Sequence, residues 1–246
     1  MDNRPIGVFD SGIGGLTVVD AITNNLSNED IIYVGDTARV PYGNKSKNRI
    51  RQYASEITKW LITKDCKVIV VACNTVSALA LDYLNSIFSI PIIGVIDPGV
   101  KKAVEISQNN KIAVLGTSAT IRSDAYGKRL KAIKPEVVVT SQACPLFVPL
   151  AEEGWVDGEI PFQIATYYFS SIKKMDVDTV ILGCTHYPLL KKTIHSCLGD
   201  HIRLVDSGEA VVKNVISVLE KMKGLSSNNS GQIKCYVTDD PTLFNN

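Results

Sequence analysis

Four short runs of the chain recur in the same order a little over a hundred residues later, and this repetition limits the fold more than any other feature. IGVFDSG at 6–12 is matched by IAVLGTS at 112–118, and IIYVGD at 31–36 by VVVTSQ at 137–142. VIVVACNT at 68–75 is matched by TVILGCTH at 179–186, and GVIDPG at 94–99 by RLVDSG at 203–208. The offsets stay between 106 and 111 residues, a drift that loops absorb. One such match is weak, because apolar strands resemble one another by chance. Four in order imply two copies of one structural unit.

The repeated runs are β-branched and of strand length. Strands are expected at 6–9, 30–35, 67–73, 91–96, 111–116, 137–142, 179–184 and 202–206, with a last edge strand at 233–238. Continuous apolar runs such as VIVVA suit strands buried on both faces, as in parallel sheets covered by helices. Amphipathic stretches of helical length lie between them, at 15–25, 45–64, 76–88, 99–108, 122–133, 158–174, 188–197 and 208–223. The segment ACPLFVPLAEEG (143–154) reads as turn-rich, and GLSSNNSGQ (224–232) as a surface loop. The alternation predicts an α/β fold made of two similar α/β domains with mainly parallel sheets.

Ligands of open α/β sheets bind beyond the carboxyl ends of the strands. Those ends here read Asp10-Ser11-Gly12, Gly35-Asp36-Thr37, Cys73-Asn74-Thr75, Gly116-Thr117-Ser118 and Cys184-Thr185-His186. The strands are apolar, and the small polar and ionisable groups collect at their ends. Two of the six cysteines, Cys73 and Cys184, hold equivalent positions in the two repeats. If the domains are related by a pseudo-two-fold axis, both thiols face one cleft from opposite sides. Inverting a stereocentre by proton transfer asks for that arrangement: one group removes a proton from one face of a carbon, the other returns one to the opposite face. A free thiol with a pKa near 8.5 reaches both forms close to neutrality.

Neighbours tune such a pair. Asp10 and Asp36 are placed to exchange protons with Cys73 or to hold its thiol. His186, two residues after Cys184, is the partner on the other side, and Glu152 is placed to orient it. The hydroxyl and amide groups of Ser11, Asn74, Thr75, Thr117 and Thr185 suit the ammonium and carboxylates of an amino acid. Tyr42 and Gly43, in the turn VPYGN, are placed to close over a ligand. The run DSGIGGL (10–16) misses the dinucleotide fingerprint, because Thr17 stands at its third glycine position; its backbone donors suit a carboxylate equally well. His195 and His201 fall on a helix and a loop without such neighbours.

Composition excludes several other classes. Charged residues make up 21% of the chain and the net charge is +1, so the basic stripe of a nucleic-acid binder is missing. No apolar run approaches a membrane span. The start MDNRPIGVFD has an early acid and no apolar h-region, so no signal peptide and a cytoplasmic location are expected. The cysteines show no CxxC spacing and read as free thiols. One histidine and two distant cysteines do not make a zinc set. A pyridoxal enzyme needs a Schiff-base lysine, and the lysines fall on expected helix faces and loops, none beside a strand-end cluster. A thiol hydrolase built on Cys184 and His186 leaves Cys73 without a role.

The sequence resembles the glutamate racemases of the aspartate/glutamate racemase superfamily. The matching motifs are IGVFDSGIGGLTV, YVGDTARVPYG, VACNTVSA, PIIGVIDPG, VLGTSATI, ACPLFVPLAEEG, LGCTHYPLL and VDSGEA, with YVTDDPTLF continuing the likeness. The resemblance implies that Cys73 and Cys184 are the acid/base pair, with Asp10 assisting the first and His186 and Glu152 the second. It implies substrate contacts from Asp10, Ser11, Tyr42, Gly43, Asn74, Thr75, Thr117, Thr185 and His186. It implies two facing domains, residues 1–97 with 207–246 and residues 98–206, glutamate as small-molecule substrate, a homodimer and no cofactor. A racemase of aspartate or another acidic amino acid, or a regulatory binding protein without turnover, are the rival readings. Relatives carry an N-terminal extension or a closing C-terminal helix that this chain is not expected to share.

Overall fold

The computed structural model describes residues 1–241, so Thr242–Phe244 of the DPTLF motif lie outside the described residues. Among the described residues, nine strands form two parallel sheets. They are β1 (Ile6–Asp10), β2 (Ile31–Gly35), β3 (Val68–Val71), β4 (Ile92–Gly94), β5 (Lys111–Gly116), β6 (Val138–Ala143), β7 (Thr179–Gly183), β8 (Arg203–Asp206) and β9 (Ile233–Val237). The eleven α-helices are α1 (Leu16–Asn25), α2 (Lys47–Thr63), α3 (Asn74–Leu79), α4 (Leu81–Ile87), α5 (Ile96–Ile106), α6 (Ser118–Ser123), α7 (Ala125–Ile133), α8 (Phe147–Glu152), α9 (Glu159–Phe169), α10 (Lys191–Leu198) and α11 (Ser207–Lys221).

The first sheet runs in the order β4-β3-β1-β2-β9 and the second β6-β5-β7-β8. Read from the other edge, the second is β8-β7-β5-β6, which matches β4-β3-β1-β2 strand for strand. The repeat in the sequence is therefore a repeat of topology. Every residue of β1, β2, β3 and β7 is buried, because helices cover both faces of each sheet. The edge strands β6 and β9 carry the exposed positions. Each sheet lies between two apolar clusters, one per face.

The chain crosses between the sheets twice. After β4 it enters α5, which packs on β7, β8 and α7; after β8 it enters α11, which packs on α1 and β4. The equivalent helices α5 and α11 lie against each other, and this contact forms the spine of the molecule.

Two expected helices are broken, and one helix forms where turns were expected. The stretch 76–88 is two helices broken at Ala80, whose φ of −130° is not helical. The stretch 122–133 is broken at Asp124, which takes a left-handed φ of 52°. The turn-rich segment 143–154 contains α8, where Pro149 sits in the first turn and its missing N–H costs no intrahelical bond. Lys67 departs from the expectation for lysines: it is fully buried at the start of β3, paired with Glu29 at 2.5 Å, and donates to the carbonyls of Asp2 and Gly224. That is the end of the sheet away from the strand-end cluster.

Candidate active site

The carboxyl ends of β1 and β3 meet those of β5 and β7 at one enclosed space. Its walls are Ser11, Pro41, Tyr42, Gly43, Cys73, Asn74, Thr75, Thr117, Val148, Cys184, Thr185 and His186. Both sulfurs thus line a single space, reached from equivalent strands of the two sheets. The free volume is about 10 Å³, room for roughly one water molecule and far less than an amino acid occupies.

On the Cys73 side, the chain leaves β1 through a tight 3-10 turn at Ile13–Gly15. A Cβ on Gly15 would lie 2.4 Å from Asp10 Cβ, so only glycine lets the turn fold back over that carboxylate. Asp10 is completely buried and accepts hydrogen bonds from Gly15 N at 2.9 Å and from Thr185 Oγ1 at 3.1 Å. Burial raises its carboxyl above the ordinary range, opposed by the charge on His186 and the bond from Thr185. Cys73 Sγ lies 4.0 Å from Ser11 Oγ. Burial pushes the Cys73 thiol well above the ordinary cysteine range, and the charge of Asp10 adds to it. Cys73 is therefore a thiol at neutral pH.

The Cys184 side is built differently. Cys184 Sγ is 3.7 Å from His186 Nδ1, and His186 Nε2 is 2.5 Å from Glu152 Oε1 at the end of α8. Burial works against a charged imidazole here, but the hydrogen bonds to Cys184 and Glu152 outweigh it and raise the His186 pKa to about 10. One thiol faces a buried carboxylate and the other an imidazolium. The two halves of the site are geometrically equivalent and chemically distinct.

The two sheets' loops meet where the first half lacks side chains. A Cβ on Gly14 would lie 2.7 Å from both His186 Nδ1 and Thr185 Oγ1, and one on Gly43 would lie 2.6 Å from Thr117 Cβ. Polar bonds cross the same seam: Thr75 Oγ1 lies 2.9 Å from Thr117 Oγ1 and 3.2 Å from Thr120 Oγ1. The Asp/Glu/hydantoin racemase family description matches residues 6–215, which includes every residue lining the space.

The chain belongs to this racemase family. Over 242 residues it is 48% identical to the glutamate racemase of Geobacter metallireducens, covering 98% of this chain and 90% of that one. The crystal structure of a glutamate racemase isoform from Bacillus anthracis superposes with a TM-score of 0.96 at 36% identity, covering 99% of this chain and 92% of the other. That of the Francisella tularensis glutamate racemase in complex with D-glutamate gives 0.93 at 43% identity, covering 99% and 91%.

Within this racemase fold, ten of the residues singled out in the sequence line the space: Ser11, Tyr42, Gly43, Cys73, Asn74, Thr75, Thr117, Cys184, Thr185 and His186. Asp10 and Glu152 stand one layer behind, Asp10 on Thr185 and Glu152 on His186. Asp36 does not hold Cys73. Its carboxylate accepts from Tyr42 Oη, from Arg39 Nε at 2.9 Å and from Thr238 Oγ1 at 2.8 Å, and it anchors the turn that carries Tyr42. Pro41 and Val148 line the space without having been anticipated, because an apolar wall leaves no chemical mark in a sequence. Tyr126 and Ser207, which hydrogen-bond the lining residue Asn74, were missed as well. Ser207 stood inside the repeated GVIDPG/RLVDSG pair; Tyr126 carried no signal.

Proposed function

We propose that the chain is a glutamate racemase that needs no cofactor and inverts the α-carbon with Cys73 and Cys184 as the two acid/base groups. The observation that carries this reading is the pair of sulfurs lining one space from equivalent strands of two sheets. Proton transfer then needs one sulfur as thiolate and the other as thiol. The thiolate takes the α-proton as the C–H bond breaks, and the electron pair delocalises into the substrate carboxylate. The opposite thiol delivers its proton to the other face, and the two sulfurs have exchanged states.

The surroundings assign the resting roles. Cys73, held as a thiol by burial beside Asp10, is the proton donor of the resting protein. On the other side His186 stands in contact with Cys184 to hold or pass its proton. Glu152 keeps the imidazole charged and oriented. The donors Ser11, Asn74, Thr75, Thr117 and Thr185, with the turn Tyr42-Gly43, are the substrate contacts of this reading, and Asp10 acts from one layer behind through Thr185.

The same reading takes residues 1–97 with 207–246 as one domain and 98–206 as the other. The packing of α11 on α1 and β4, and of α5 on β7 and β8, supports that division. It places the protein in the cytoplasm as a homodimer, supplying D-glutamate for peptidoglycan. No helix among the described residues is long and apolar enough to cross a membrane.

The test is to incubate the protein with L-glutamate and L-aspartate separately, following optical rotation and exchange of the α-proton in D₂O. Glutamate is expected to lose its rotation and take up deuterium. Faster inversion of aspartate overturns the substrate assignment, and absence of exchange overturns the racemase.

A further inference from the structure

Asn74 follows Cys73 directly and lines the enclosed space, yet its side chain is gripped from behind. Tyr126, on α7, donates its hydroxyl to Asn74 Oδ1 at 2.5 Å. Asn74 Nδ2 lies 3.3 Å from Ser207 Oγ, and Ser207 Oγ lies 3.2 Å from the carbonyl of Leu182 on β7. Ser207 Oγ is also 3.3 Å from Asn74 Oδ1. Asn74, Tyr126, Ser207 and Leu182 are all buried.

Counting hydrogens settles which way this chain runs. Burial pushes the Tyr126 hydroxyl above the ordinary tyrosine range, so it stays protonated and donates. At the other end the Leu182 carbonyl only accepts. With the single hydroxyl hydrogen of Ser207 on that carbonyl, its oxygen is left to accept from Asn74 Nδ2. The bonds then read Tyr126 to Asn74, Asn74 to Ser207, Ser207 to Leu182.

One N–H of Asn74 is used by Ser207, and the other has no protein acceptor among the described residues. With its oxygen taken by Tyr126, Asn74 has one N–H left for a ligand in the space it lines. The geometry around Tyr126 serves this placement. A Cβ on Gly183 would lie 3.1 Å from Tyr126 Cε2, so the glycine before Cys184 leaves room for the ring.

We propose that Tyr126 and Ser207 are positioning residues that lock the Asn74 amide with its oxygen turned away and one N–H presented to the substrate carboxylate. The inference rests on the racemase reading, in which Asn74 touches the substrate. It adds that residues from beyond both interdomain crossings set the polarity of a contact in the first half. Leu182 lies two residues before Cys184, so the same chain of bonds links the strand ends that carry the two sulfurs.

The experiment measures KM and kcat for both glutamate enantiomers in the wild type, Tyr126→Phe, Asn74→Ala and the double variant, with circular dichroism confirming the fold of each. Tyr126→Phe is expected to raise KM about tenfold while kcat stays within about twofold, because the lost contact is shared by ground and transition states. In the Asn74→Ala background the same substitution should change KM by less than about twofold, since its effect passes through Asn74. Ser207→Ala should act in the same direction and vanish in the same background. A KM within about twofold of wild type in Tyr126→Phe overturns the proposal, as does an equal rise in both backgrounds, the mark of a merely structural tyrosine. If Tyr126→Phe does not fold, the Ser207→Ala and Asn74→Ala pair decides by the same criteria. A wild-type protein that exchanges no α-proton of glutamate refutes the racemase reading first, and that outcome is read before any variant.

Discussion

At the scale of single residues, the site is an asymmetric pair, and each side makes its own prediction. Cys73→Ala and Cys184→Ala should each lower racemisation by at least about a thousandfold, because neither thiol has a substitute on its face of the α-carbon. The two enantiomers have equal free energy in water, so kcat/KM must fall equally in both directions whichever cysteine is removed. A single variant retaining near-normal turnover would refute the two-thiol mechanism. The His186 side adds a pH dependence of stability. Its pKa is raised from 6.5 to about 10 in the folded chain, so the charged imidazole stabilises the fold fully below 6.5, and that contribution is lost as pH rises through about 10. Glu152→Gln removes one of the bonds that raise it. Urea unfolding across that interval should then lose less stability in the variant than in the wild type, and equal slopes would contradict the assignment. Sequence made this pair legible because cysteine, histidine and carboxylates are chemically marked and stand at strand ends. Tyr126 was illegible because a buried tyrosine inside a helix looks the same whether its hydroxyl serves packing or a substrate contact.

At the scale of elements, the strands were readable and the helix breaks were not. The nine described strands fall where the β-branched runs place them, and in β1, β2, β3 and β7 burial on both faces leaves an unmistakable apolar run. The breaks at Ala80 and Asp124 depend on how short helices turn to reach the site, and no local residue dictates them. The seam between elements gives a prediction of its own. The 3-10 turn Tyr42–Asn44 meets the start of α6 through Gly43 and Thr117. Gly43→Ala places a methyl group against Thr117 Cβ and should hold the turn off, lowering kcat/KM on the order of a hundredfold, the cost of misplacing reacting groups by about 1 Å. Gly43 itself is half-buried and lies outside the apolar clusters, so the unfolding midpoint should barely move; wild-type kinetics in this variant would remove the seam from the proposed mechanism. At the opposite end of the first sheet, Lys67 ties Glu29, Asp2 and Gly224 together in full burial. Lys67→Met leaves Glu29 buried without its partner and should cost about 3–5 kcal/mol in denaturant unfolding. A loss below about 1 kcal/mol, the value of a surface pair, would mean that Glu29 finds water or another donor.

At the scale of the whole molecule, the repeat in the sequence announces two sheets of like topology, but it is silent on how far apart they stand. The structure answers with contact: the space between the sulfurs is about 10 Å³, and no acidic amino acid fits it. If a substrate reaches both sulfurs, as proposed, the two halves are expected to separate and close again in every turnover. The packing shows where separation is inexpensive. Near the crossings, α5 and α11 pack closely and the Tyr126–Asn74–Ser207 bonds are buried, so that side acts as the hinge. Away from it the halves meet through Gly14, Gly43, the hydroxyls of Thr75, Thr117 and Thr120, and the Asp10–Thr185 bond, polar contacts that water can replace on opening. A ligand bridging the two strand ends binds only the closed arrangement and shifts the population toward it. Adding D-glutamate should therefore shrink the radius of gyration in small-angle scattering and slow amide exchange at 40–46 and 117–120. Exchange in β1, β3, β5 and β7 should not change, because opening leaves the sheets intact. If exchange slows at 40–46 alone while the scattering stays constant, the turn carrying Tyr42 swings by itself, and the halves stay fixed relative to one another.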